Sequence, residues 1–336
     1  MISRTNYRLL RDRLSRRLRA LRRARELVPV SDRTARIAPG DILLFATLRN
    51  ERIRLAWFLE YYRALGVGHF LFVDNASDDG TREQLAAEPD VSVWTTAASY
   101  KRARFGMDWI NHLLGRYGHG HWTLTVDVDE FLVYPFCDTR PLRALTDWLD
   151  ASAIRAFPAM LIDTYPKGPI DAEPYTEGRD PLEIAAWFDP GNYVIERNDY
   201  FRNLWIQGGP RARKFFPDTP AHAPALNKIP LVKWRRGQVF VSSTHMLLPR
   251  GLNRVYDEWG GEKPAGALMH AKFLDTFTVK AREEMQRRQH YAASREYIVY
   301  EERLRETRDL WCEGSARFTG WRQLEAMGLI SPGSWA

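Results

Sequence analysis

The sequence predicts an α/β protein whose strands form a mostly parallel central sheet flanked by helices. Two observations carry this. Short apolar runs alternate with segments of helical periodicity through residues 41–126, and the turn-rich and acidic motifs fall directly after the apolar runs. A composition of 45% hydrophobic and 27% charged residues over 336 positions supplies enough apolar material for a sizeable core, without low-complexity tracts.

The elements follow in order. Residues 41–48 (DILLFATL) are a buried strand, and residues 51–65 place Leu55, Phe58, Leu59, Tyr62 and Leu65 at helical spacing before Gly66, a plausible helix stop. Residues 69–73 (HFLFV) are the next strand, followed by the turn-rich NASDDGT, a short helix, and a strand over residues 91–95. Residues 107–117 carry Ile110, Leu113, Leu114 and Tyr117 on one helical face, and residues 122–126 (WTLTV) are a strand that ends on acidic residues. Beyond it the texture changes. Ten of the 19 prolines lie between Pro158 and Pro224, which predicts a loop-rich acceptor region. A strand pattern resumes over residues 231–246, and C-terminal helices are expected, including a long charged one from Phe273 to about Arg305.

Charge divides the chain. Residues 1–27 hold ten arginines against Asp12 and Glu26, a local net charge of +8 in a chain whose total is +7. The remainder is close to neutral, so the body is not a nucleic-acid-binding domain by charge. Within the tail, Tyr7, Leu10, Leu14, Leu18 and Leu21 recur at spacings of three and four, which describes an amphipathic helix. Such a helix suits either an anionic membrane surface or packing on its own domain. The division expected is therefore a basic amphipathic helix over 1–30, a linker over 31–40, and one domain over 41–336. That domain comprises a nucleotide-binding half (41–135), an acceptor and metal half (136–275) and a C-terminal helical extension (276–336). Two cysteines, Cys137 and Cys312, make no disulfide framework, and no apolar run approaches the roughly 20 residues of a membrane span. A cytoplasmic location is expected, with the inner face of the membrane open through residues 1–27.

Two motifs carry chemistry. In TVDVDEF, Thr125–Phe131, a strand delivers Asp127 and Asp129 two residues apart, and such hard oxygen ligands suit Mg²⁺ or Mn²⁺ bridging a diphosphate. In VDNASDDGT, Val73–Thr81, Asp74 at a strand end can accept from a base or ribose while Asn75, Ser77 and Gly80 shape the turn. The bland reading of each is an acidic strand end and a well-made turn.

Together, Asn50-Glu51, VDNASDDGT and VDVDEF resemble the nucleotide-binding half of glycosyltransferase family 2 and related enzymes of the GT-A, or Rossmann-like, fold, in particular a bacterial subgroup with a DxDEF motif. The resemblance continues through Gly208-Gly209-Pro210-Arg211, LNKIPLVKW (226–234), STHMLLP (residues from 243 to 249) and LMHAKFL (268–274), and so covers most of residues 41–300. It implies nucleotide contacts at Asn50, Glu51, Asp74, Asn75, Arg104 and Asp127. It also implies a divalent ion, Mn²⁺ or Mg²⁺, at Asp127 and Asp129, with His245 as a further ligand and His270 as its rival. Gly208, Gly209, Arg211 and Arg213 would approach the donor, the acceptor or the diphosphate. In one respect the sequence departs from the pattern: the stretch after the glycine loop holds lysines where an acidic general base is often found. Asp163, Asp189 and Asp218 are the rival bases, and Lys228 and Lys233 are placed to neutralise a leaving diphosphate. The activity implied is metal-assisted transfer of a sugar from a nucleoside-diphosphate sugar to a hydroxyl of a glycan or lipid-linked acceptor. The other classes are a nucleotidyltransferase on a similar sheet, a non-catalytic sugar-binding protein, and a nucleic-acid binder working through the arginine tail.

Overall fold

A computed structural model describes residues 4–256, 261–277, 280, 303 and 308–335. Strands β1 (Val28–Ser31), β2 (Ile42–Leu48), β3 (Val67–Asp74), β4 (Val91–Thr95) and β5 (Trp122–Thr125) are followed by β6 (Glu130–Val133), β7 (Ala156–Tyr165) and β8 (Trp187–Phe188). β9 (Tyr193–Asn198), β10 (Asn203–Gly208), β11 (Asn227–Lys233), β12 (Val239–Phe240), β13 (Leu247–Leu248), β14 (Gly266–His270) and β15 (Ala316–Arg317) complete them. The helices are α1 (Arg4–Arg23), α2 (Arg52–Leu65), α3 (Thr81–Ala87), α4 (Met107–Tyr117), α5 (Leu142–Ala151), α6 (Pro181–Ile184) and α7 (Trp321–Ala326).

The α/β class is observed as expected, a large central sheet flanked by helices. Its path runs β1-β4-β3-β2-β5-β11-β7-β14-β6, with β8 and β15 branching from β7. Strands β4, β3, β2 and β5 are parallel, as their helical crossovers require. Beyond β5 the pairing turns mixed: β11 is antiparallel to both β5 and β7, β14 is parallel to β7, and β6 is antiparallel to β14. The mixed half is assembled from strands scattered along the chain, from β6 at residue 130 to β14 at residue 270, so its order is set by long-range pairing rather than by a local alternation of elements.

Side-chain alternation explains why the sheet is covered on both faces. Along β2, Ile42, Leu44, Ala46 and Leu48 join one core cluster with Leu55, Phe58, Leu59 and Tyr62 of α2. Leu43 and Phe45 join the other with Trp109, Ile110, Leu113 and Leu114 of α4. Helix α2 stops at Gly66, whose φ of 98° closes the helix in the left-handed region, as the sequence predicts.

One expectation meets a different arrangement, and one falls outside the described residues. Val28–Ser31 adds an antiparallel edge strand to β4, so the chain joins the sheet where a linker begins in the sequence reading. The long charged helix expected from Phe273 to about Arg305 lies largely outside the described residues, and the described stretch 308–335 contributes only β15 and the short α7.

Phe58 is fully buried, with its ring 4.8 Å from Tyr62, 6.2 Å from Phe72 and 6.4 Å from Phe131. Because it ties α2 to strands β3 and β6, Phe58→Ala is expected to cost about 3–5 kcal/mol in urea denaturation. A loss under about 1 kcal/mol would contradict this packing.

Candidate active site

Register collects the polar residues at one edge of the sheet. Leu48 pairs with Asp74, and Asp74 with Thr95, so the carboxyl ends of β2, β3 and β4 align. Leu231 of β11 faces Leu124 of β5, which brings Lys228 near the acidic turn after β5. On the far side His270 pairs with both Asp163 and Glu130. The first four parallel strands follow the order of a doubly wound sheet, and ligands of such sheets bind where the winding reverses, here between β2 and β5. A cavity of about 340 Å³ opens there, within the range of small-molecule sites.

The acidic motif is a tight turn. The Glu130 amide donates to the Asp127 carbonyl at 3.1 Å, and the Asp127 amide to the Glu130 carboxylate at 3.2 Å. This turn splits the three acids by environment: the Asp127 side chain is 57% exposed, that of Asp129 is 22% exposed, and that of Glu130 is buried. The buried Lys228 ammonium donates to Glu130 and, at 3.3 Å, to Asp127. Burial works against the lysine's charge, but the two carboxylates outweigh it and keep it protonated above its ordinary range. Asp129 faces His270 Nε2 at 3.3 Å. Burial opposes its charge, yet His270, then Arg54 and Lys280, hold it well below the usual carboxylate range. His270 in turn is gripped through Nδ1 by Asp163 at 2.6 Å. Burial disfavours the imidazolium, but Asp129 and Asp163 together raise its pKa.

Six cationic side chains line the cavity, Arg49, Arg54, Arg211, Lys228, Lys272 and Lys280, against the four carboxylates of Glu51, Asp127, Asp129 and Glu130. Arg54 is buried, bonding the Ala271 carbonyl at 2.8 Å and Thr276 Oγ1 at 3.1 Å, while Lys280 pairs with Glu51. Burial raises the Glu51 pKa, with Lys280 pulling the other way. The Thr47 hydroxyl, at the end of β2, is buried in the cavity wall with no hydrogen-bond partner among the described residues. It sits against Gly106, where a Cβ would come within 2.7 Å of that hydroxyl and φ is 77°, so only glycine fits the turn.

Several expected residues are drawn together and line the cavity: Glu51, Asn75, Asp127, Asp129, Arg211, Lys228, His245 and His270. Others have different work. Asp74 is fully buried and accepts from the Ser77 amide at 3.3 Å and Thr95 Oγ1 at 3.1 Å, so it shapes the turn, and its neighbour Asn75 reaches the cavity instead. Asn50 accepts from the Asp78 amide at 3.0 Å in the same turn. Arg104 lies outside the cavity wall, on the side of Arg16 and Arg19 of α1, and Tyr100 from its loop lines the cavity in its place. Gly208 and Gly209 pack on Tyr193, and Lys233 bonds Asp150 at 2.8 Å beside Trp122, at the opposite end of β5.

None of the three expected bases lines the cavity. Asp163 is locked behind it by Arg211 at 2.6 Å and by His270. Despite burial, these partners lower its pKa to about 2, too low to take a proton from a hydroxyl. Asp189 is paired with Arg213 at 2.8 Å and with Tyr165, which also removes Arg213 from the site. The Asp218 side chain is 90% exposed, on the surface. The expected metal set does not converge either, since among the described residues no three His, Cys, Asp or Glu side chains are grouped to hold an ion. Both nitrogens of His270 are taken by carboxylates, and Asp129 is taken by His270. What remains for a hard cation is the largely exposed carboxylate of Asp127, which Lys228 meets from one side only, together with oxygens that a ligand would bring. That is within the habit of Mg²⁺, which often uses one or two carboxylates plus substrate phosphates.

The sequence reading missed Arg49, Arg54, Tyr100, Lys272 and Lys280. Arg54 carries a faint signal, because it follows Glu51 by three residues at the start of α2 and the two pair at 3.4 Å. The others sit on loops and segments whose approach depends on the fold.

Outside comparisons add little to this geometry. No known protein family matches the sequence, nor does any curated protein. Among solved structures, a 4-diphosphocytidyl-2C-methyl-D-erythritol synthase is similar over 41% of this chain and 65% of its own length, at 19% identity and a TM-score of 0.26. Mannosyl-3-phosphoglycerate synthase from Rubrobacter xylanophilus is similar over 41% of this chain and 47% of its own, at 17% identity and a TM-score of 0.25. The chain thus spans less than two thirds of either. A putative glucose-1-phosphate thymidylyltransferase from Bacillus anthracis, in complex with a sucrose, aligns over 84% of this chain and 88% of its own, at 8% identity and a TM-score of 0.31. Likenesses this distant carry no functional argument, which rests on the site itself.

His245 gives the site a pH signature. Its Nδ1 meets the Asn227 carbonyl at 2.6 Å, and burial, then the Lys228 charge, lower its pKa from 6.5 to about 4. The unfolded chain therefore holds a proton on this residue between those values while the folded chain does not. Stability is lost as pH falls from 6.5 towards 4, by at most about 1.4 kcal/mol per pH unit from this group. Urea melts across that window should show a shallower slope for His245→Gln than for the parent, and equal slopes would refute the assignment.

Proposed function

We propose that the cavity binds a nucleoside-diphosphate sugar and that the protein is a glycosyltransferase, moving the sugar to a hydroxyl acceptor. The observation that carries this reading is the surplus of cations over carboxylates in a cavity at the switch point of a nucleotide-type sheet. A diphosphate is the dianion or trianion such a wall would neutralise, and Lys228 and Arg211 are rigidly held donors for its oxygens. Asn75, at the end of β3, stands where a base or ribose would lie, its side-chain amide anchored to the carbonyls of Thr96 at 3.0 Å and Ala98 at 3.1 Å.

On departure, the leaving diphosphate gains negative charge, and preorganised ammonium and guanidinium groups stabilise that charge with little reorganisation. Mg²⁺ or Mn²⁺, if it accompanies the donor, would be held by Asp127 and phosphate oxygens and would supply further charge neutralisation. Glu130 fixes Lys228 in place, and His270 fixes Asp129. Both act by orientation, since neither carboxylate has an open coordination side of the kind Asp127 has.

The test is a thermal-shift series with UDP, GDP, CDP, dTDP and ADP, each with and without Mn²⁺, followed by product analysis on the matching nucleotide sugar. A diphosphate at 100 times its Kd should stabilise the protein by about 2.7 kcal/mol. Free sugar and nucleoside diphosphate should appear as slow hydrolysis products. Asp127→Asn, a change at an exposed side chain, should leave the melting temperature of the free protein unchanged and lower turnover by about a hundredfold or more. In a parallel reaction with a nucleoside triphosphate and a sugar 1-phosphate, release of pyrophosphate would replace this reading with nucleotidyl transfer, and the absence of any nucleotide-induced shift would remove both.

A further inference from the structure

Helix α1 is mounted with its apolar stripe outward. A surface helix ordinarily turns such a stripe to the core. Here the inward face is held by only two buried apolar residues, Leu9 and Ala20, and otherwise by polar bonds. Arg16 donates to the Val241 carbonyl at 2.6 Å, and Arg19 donates to Asp108 at 2.9 Å and to the Arg102 carbonyl at 2.9 Å. On the opposite face Tyr7 is 60% exposed, Leu10 37%, Leu14 45%, Leu18 55% and Leu21 63%, a continuous row about 21 Å long.

The charges beside this row are of one sign. Arg4, Arg8, Arg11, Arg17, Arg22 and Arg25 are all exposed, whereas both acids of the segment are engaged by the helix's own arginines, Asp12 by Arg16 and Glu26 by Arg23. A row of leucines flanked by exposed guanidinium groups complements an apolar layer edged by anions. We propose that α1 docks the protein flat on an anionic lipid bilayer, its leucines at the boundary of headgroups and acyl chains and its arginines on lipid phosphates. A membrane-spanning role is not implied, since no helix among the described residues is long and apolar enough to cross a membrane. The inference stands on α1 alone and is independent of the transferase reading.

The test is co-sedimentation of the full chain with vesicles of phosphatidylcholine mixed with phosphatidylglycerol, and with vesicles of phosphatidylcholine alone. The parent should bind the mixed vesicles at least about tenfold more tightly than the neutral ones, with binding weakened by high salt. Leu14→Glu/Leu18→Glu and Arg11→Glu/Arg22→Glu should each lower binding to the mixed vesicles by about tenfold or more, with thermal melts matching the parent. If the leucine pair fails to fold, the arginine pair decides the matter alone. Equal binding to both vesicle types, no binding to either, or variants that bind as the parent does would overturn the proposal. So would a lipid-free dimer, seen by size exclusion, that Leu14→Glu/Leu18→Glu splits, because the stripe would then be a seam between two copies.

Discussion

The site is organised around one buried ammonium group. Lys228 sits on β11, the antiparallel strand that joins the parallel half of the sheet to the mixed half, and its Nζ lies between Glu130 and Asp127. A lysine removed from water must be paired, and Glu130 is its buried partner while Asp127 meets it from the exposed side. This pairing fixes the turn between β5 and β6, and with it the direction in which Asp127 points. Removing Lys228 would take away the main influence that opposes the rise of the Glu130 pKa on burial, so the turn and the strand hold each other in place.

Around that pair the charges form a graded wall. Arg211 and His270 both hold Asp163 at the buried sheet edge, and His270 reaches on to Asp129 at the cavity. Lys280, Glu51 and Arg54 make a similar chain from the α2 side. Most carboxylates are thus spent on orienting cations and on raising the pKa of His270, which is why the wall as a whole favours an anion even though its most conspicuous sequence motif is acidic.

Helix α1 and the cavity share a loop. Residues 99–106 present Tyr100 to the cavity, while the carbonyl of Arg102 in the same loop accepts from Arg19 and Arg23 of α1. A helix fixed to a lipid surface would therefore be clasped to a segment that forms one wall of the site. The polar bonds that mount α1 are also what leave Tyr7, Leu10, Leu14, Leu18 and Leu21 exposed.

Periodicity alone determined the parallel half of the fold. The strands over 42–48, 67–74, 91–95 and 122–125, the helices between them and the stop at Gly66 follow from apolar runs and a 3.6-residue rhythm, which are local properties of the chain. The acidic turn at Asp127 was legible for the same reason, as a motif that directly follows a buried strand. Only the tertiary structure decided which charges are free. Asp163, Asp189 and Asp127 are alike in sequence, yet two are neutralised by arginines 48 and 24 residues away, while the third, beside Lys228, keeps a largely exposed side chain at the cavity. The partners of Lys228 and His270, and the arrival of Arg54 and Lys280 at the cavity, depend likewise on strand order and register. Whether an ionisable group is available for chemistry is set by long-range pairing and burial, and neither is encoded in the spacing of residues along the chain.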